Sequence, residues 1–133
     1  MTIPEYIATA PPERQTTLKA YHEAIMANDA SVIPMVKPMM GKDMILYEEQ
    51  GKVMKYGLAN TKNYLSLHCL PMYMNPPVYN KYQALAPAAN FQKGCINFNN
   101  EAELPKDVVI QLVKDCATIS ILQMLEDRKK KKK

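Results

Sequence analysis

Residues Lys62–Cys69 read KNYLSLHC, and their alternation constrains the fold more tightly than any other feature of the chain. Leu65, Leu67 and Cys69 are apolar, while Tyr64, Ser66 and His68 carry polar groups. Successive side chains of a β-strand point to opposite faces, so the segment predicts a strand over about 63–70 with one face on a core. Met44–Glu48 and Lys52–Leu58 read as two further strands. Glu49-Gln50-Gly51 between them is a short glycine-containing hairpin loop. Cys95–Asn99 is a short strand with Ile96 and Phe98 on one side. Ser31–Met40 holds Pro34 and Pro38 and so predicts an extended edge or a connection, not a central strand.

Helices are marked by their starts and by apolar spacing. Thr2-Ile3-Pro4-Glu5 fits a capping box ahead of a short helix ending near Thr9. Pro11-Pro12 break that helix and open a second, because proline is tolerated in a first turn. In the second helix Leu18, Tyr21, His22, Ile25 and Met26 recur at helical spacing, and Asn28-Asp29 offers a stop. Met72–Pro77 reads as a loop leading into a helix that starts at Asn75-Pro76-Pro77 and ends before Pro87. Leu104-Pro105-Lys106-Asp107 starts the last helix, whose stripe runs from Val108 to Ile119. Short connections between neighbouring strands argue for an antiparallel meander. The expectation is an α+β domain, with a small antiparallel sheet of about four strands packed on helices.

Such a sheet faces Met54, Tyr56, Leu58, Leu65, Leu67, Cys69, Ile96 and Phe98 inward. It faces Lys55, Gly57, Tyr64, Ser66, His68, Cys95 and Asn97 outward. An antiparallel sheet commonly leaves one face to water. The outward set is nevertheless chemically mixed, and Lys55, Tyr64, Ser66, His68, Cys95 and Asn97 form the candidate ligand-binding face. Its occupant would be a polar or anionic small molecule, or another protein. Catalysis is the weaker reading. His68 lacks a nearby acidic residue or nucleophile motif. Cys95 shares its face by parity, so a thiolate–imidazolium pair arises if their strands are adjacent. No His/Cys spacing matches a zinc site, and the four glycines are too scattered for a phosphate loop. A binding protein without enzymatic activity is expected.

The net charge of +4 comes from the five terminal lysines; residues 1–128 hold twelve basic against thirteen acidic residues. Nucleic-acid binding through the folded domain is therefore not expected. Residues 1–128 read as one domain and Lys129–Lys133 as a solvated, disordered tail. Three cysteines without a CxxC fit reduced thiols in a cytoplasmic protein. No apolar run approaches the length of a membrane span.

The segments MMGKDMILY, YGLANTKNYLSLHC, KGCINFNN and LPKDVVIQLVKDC resemble the YdhG-like family, a domain-of-unknown-function group of small bacterial proteins. IPEYIATAPPERQTTLKAYHEAI resembles the opening helices of that family, double proline included. The resemblance implies a compact α+β fold. Some relatives are described as frataxin-like iron chaperones, which deliver iron to iron–sulfur cluster or haem assembly proteins. That description implies weakly bound Fe2+ on an acidic ridge, for which Glu13, Glu23, Asp29, Glu48 and Glu49 are the candidate carboxylates.

Overall fold

The computed structural model describes residues 1–39 and 41–131. Met40, at the end of the expected edge segment, and Lys132 and Lys133, in the expected tail, lie outside the described residues. The chain opens with α1 (Ile3–Ala8) and α2 (Pro12–Asn28). Strands β1 (Val32–Met39), β2 (Lys42–Glu49), β3 (Val53–Asn60) and β4 (Leu65–Cys69) follow. Helices α3 (Leu70–Tyr73) and α4 (Pro76–Leu85) lead to β5 (Asn90–Gln92) and β6 (Cys95–Phe98). Helices α5 (Lys106–Ala117) and α6 (Ile121–Lys131) complete the described chain.

Local chemistry sets these boundaries. In α1, Thr2 Oγ1 accepts from the Glu5 amide and Glu5 Oε1 from the Thr2 amide, which satisfies two orphan donors. Between β2 and β3 the turn places Gln50 and Gly51 at φ 51° and 71°. Glycine occupies that left-handed region without steric cost. Helix α3 falls where a loop is expected, with Pro71 in its first turn. The expected last helix ends at Ala117, and α6 follows it as a further helix where none is expected. Glu49, reaching from β2, accepts from the Ile121 amide and the Ser120 hydroxyl and so caps the N-terminus of α6. Helix α6 continues through Lys129 and Lys130 to Lys131.

The sheet has six strands in the order β1-β2-β3-β4-β6-β5, all antiparallel, where about four are expected. The two additional strands form its edges. Strand β1 pairs along its whole length with β2 and carries both prolines. Pro34 and Pro38 are four residues apart, so their missing N–H groups fall on the same side of the strand. A proline lacks the ladder donor and is confined to an edge. Strand β5 covers only three residues on the far side.

One face of the sheet packs against the helices. Leu18, Tyr21 and Ile25 of α2 and Val109, Leu112 and Val113 of α5 meet Ile45, Tyr56, Leu58, Leu65, Leu67 and Phe98 in a continuous apolar core. Tyr21 stacks on Phe98 with ring centroids 5.5 Å apart, and its hydroxyl donates to the Leu104 carbonyl. His22 rests at the core margin, Nδ1 2.7 Å from the Tyr47 hydroxyl.

Strand β3 departs from simple alternation. Tyr47 pairs with Tyr56, but Glu48 pairs with Met54, so Lys55 is an extra residue in a β-bulge. Two of the expected orientations are corrected by it. Lys55, expected to face outward, is 1 % exposed and turns to the helix side. Met54, expected to face inward, packs with Met44, Leu46 and Ala59 away from the main core. The Lys55 ammonium lies 2.8 Å from Asp29 Oδ2 at the end of α2. Asp29 also accepts from the Tyr56 hydroxyl and from the Ser31 amide and hydroxyl. Burial alone would raise the Asp29 carboxyl. The Lys55, Ser31 and Tyr56 donors outweigh it and hold the group below its ordinary range.

Candidate functional site

The face opposite the helices is built by cross-strand register. Gly57 pairs with His68, which pairs in turn with Cys95. One step along, Ala59 pairs with Ser66, and Ser66 with Asn97. Two polar pairs thus stand beside a floor of small residues. The curved sheet makes this face a cleft of about 320 Å³. Met39, Met44 and Ala59 form its apolar wall, Ser66, His68, Cys95 and Asn97 its polar wall, and Lys42, Asp43 and Tyr64 also line it.

Five of the six residues expected to bind a ligand therefore line one cleft: Tyr64, Ser66, His68, Cys95 and Asn97. Lys55 is the sixth, and the bulge places it on the opposite side of the sheet. The cleft wall is linked by hydrogen bonds. Ser66 Oγ donates to Asn97 Oδ1 at 2.8 Å, and Asn97 Nδ2 reaches Gln92 Oε1 at 3.4 Å. Cys95 Sγ lies 3.3 Å from His68 Nδ1 and 3.8 Å from Nε2.

Burial lowers the His68 pKa. Burial likewise raises the Cys95 thiol, against the opposing effect of Ser66. Both shifts favour the uncharged pair, in which the thiol donates to an imidazole nitrogen. A nucleophilic cysteine needs the opposite arrangement, a thiolate held beside a cation. The site can bind and orient a guest through neutral donors and acceptors. Neither shift favours a thiolate nucleophile.

The five candidate metal carboxylates do not come together. Glu13 is exposed in the first turn of α2. Glu23 lines a separate hollow with His22 between α1 and α2. Asp29 is buried with Lys55, and Glu49 caps α6. Glu48 pairs with Lys37 at 3.0 Å on β1. Among the described residues no three His, Cys, Asp or Glu side chains converge. The same residues include no single helix long and apolar enough to cross a membrane.

Sequence reasoning missed the apolar half of the cleft. Met39 and Met44 precede or open the expected strands, so no linear pattern joined them to His68. No family model matches the chain, and it matches neither a curated protein nor a solved structure.

Proposed function

We propose that the chain is a non-enzymatic binding protein that holds a small uncharged molecule in the cleft on the open face of its sheet. The observation that carries this reading is the convergence of Tyr64, Ser66, His68, Cys95 and Asn97 on one cavity with a methionine-rich wall. Ligand pockets pair an apolar lining with a few placed polar groups. The guest that fits has an apolar body and one edge of donors and acceptors. With Lys55 consumed by Asp29, Lys42 is the single lysine lining the cleft among the described residues, and Asp43 lines it too. A strongly anionic guest has little to recommend it here.

The test is amide NMR of the full chain with uracil, nicotinamide and indole as probes, and citrate as the anionic control. Shifts should gather at Ser66, Gln92 and Asn97 and should weaken at least tenfold in Asn97→Ala. Absence of any cleft response to the neutral probes, or a response to citrate alone, would sink the reading. An anaerobic Fe2+ titration in the same experiment addresses iron delivery, the reading that follows from the YdhG-like resemblance. It asks for selective broadening at Glu23, Asp29 or Glu48.

A further inference from the structure

Gly57 pairs with His68 on the open face of the sheet, and soft metal ligands surround it. A side-chain carbon at that position would stand 3.2 Å from Met44 Sδ, 2.8 Å from the Met54 methyl and 3.3 Å from His68 Cβ. The two thioether side chains therefore reach into the space that glycine leaves, one strand away from the imidazole. Beyond the imidazole lies Cys95. Four side chains from four strands thus bring a thiol, an imidazole and two thioethers to one patch.

We propose that this patch binds Cu(I) through the Cys95 thiolate, the His68 imidazole and the Met44 thioether, with Met54 alongside. Three observations support it. First, nitrogen and sulfur ligands at about 2.0 and 2.3 Å from one metal, at a tetrahedral angle, stand roughly 3.5 Å apart. The Cys95 Sγ–His68 Nδ1 separation of 3.3 Å is close to that value. Second, thiolate and thioether donors select soft ions, whereas Fe2+ and other harder cations favour carboxylates and water. Among the described residues Asp43 is the only carboxylate lining the cleft. Third, the site has an approach and a dry wall. His68, Cys95 and Met44 line the open cleft, while Leu46, Ala59 and Met39 pack around the thioethers.

Binding replaces the Cys95 S–H bond by an S–Cu bond and releases one proton to solvent, with no change of oxidation state. The other two thiols are a built-in control. Cys69 and Cys116 lie 3.5 Å apart, but both are fully buried on the helix side. The inference shares His68 and Cys95 with the small-molecule reading, adds the Met54 thioether and does not use Asn97.

The experiment is an anaerobic titration of methionine-methyl-labelled full chain with Cu(I), supplied as its acetonitrile complex, in competition with bicinchoninate. One equivalent should bind, moving the Met44 and Met54 methyl signals together with the His68 ring signals. Joint replacement Met44→Leu and Met54→Leu keeps the volume and should weaken binding at least tenfold. Zn2+ should bind more weakly than Cu(I). Affinity unchanged in the double variant, perturbation confined to Cys69 and Cys116, or tighter binding of Zn2+ would each overturn the proposal. Should the double variant not fold, the wild-type methyl signals decide: no movement refutes the site. Asn97→Ala should weaken heterocycle binding at least tenfold and leave Cu(I) affinity intact, so the two readings can fail separately.

Discussion

Removing either partner of the Asp29–Lys55 pair should destabilise the fold, and the two removals should differ. Both side chains are 1 % exposed. Breaking a buried ion pair on one side costs about 3–5 kcal/mol, because a buried charge is stranded. Lys55→Met strands a carboxylate that keeps three donors: the Tyr56 hydroxyl, the Ser31 amide and the Ser31 hydroxyl. Its cost belongs at the lower end, about 3 kcal/mol. Asp29→Asn strands an ammonium whose remaining hydrogen-bond partner is Ser31 Oγ at 3.4 Å. Its cost belongs at the upper end. A stranded ammonium can escape by shedding its proton, which at pH 7 costs about 4.5 kcal/mol from an ordinary lysine. That escape caps the loss. With a urea m-value of about 2 kcal/mol/M, the midpoint should fall by about 1.5 M in Lys55→Met and by about 2.3 M in Asp29→Asn. Equilibrium urea unfolding followed by circular dichroism reads both. The double variant Asp29→Asn, Lys55→Met should recover much of the loss, since no charge is left uncompensated. A smaller loss in Asp29→Asn than in Lys55→Met would refute this account of the bulge.

Four further outcomes follow from the titrating and capping groups. Burial lowers the pKa of both His22 and His68, so the unfolded chain binds more protons than the folded one near pH 6. Stability should therefore be fully present above about pH 6.5 and decline as pH falls through the folded values; a flat urea midpoint between pH 7 and 5 would contradict this. The Asp29 carboxyl is depressed, so its contribution persists to about pH 4 and fades only below that, visible as a second fall in the wild type that Asp29→Asn lacks. Glu49→Ala removes the acceptor for the Ile121 amide and Ser120 hydroxyl. It should cost about 1–2 kcal/mol and raise amide exchange in the first turn of α6. The raised Cys95 thiol should react with iodoacetamide at pH 7.5 more slowly than free cysteine, and faster alkylation would reopen nucleophilic catalysis.

The sheet was legible wherever alternation held. Leu65, Leu67, Cys69, Ile96 and Phe98 all reach the core as their parity predicts, and Ser66, His68, Cys95 and Asn97 all face the cleft. Parity fails at one residue in β3. A bulge inserts a residue without any local marker, and every side chain on its far side changes face. Lys55 and Met54 were misplaced for that single reason. The capping role of Glu49 was illegible because its partners lie more than seventy residues away in sequence. β5 has three residues and no alternation to read, whereas the prolines of β1 excluded a central strand and left an edge or a connection, of which the pairing with β2 shows the edge.

That proline edge shapes how the protein can go wrong. Beside Pro34 and Pro38, β1 offers an incoming strand a row of acceptors interrupted where donors should be. Sheet growth by edge addition stops there. Protection depends on β1 staying seated. Once it peels away, β2 presents Met44, Ile45, Leu46 and Tyr47 on an uninterrupted backbone with no proline of its own. Aggregation in this protein should track the opening of one terminal strand rather than global unfolding, so a lock between β1 and β2 would improve solubility before it improved the melting temperature.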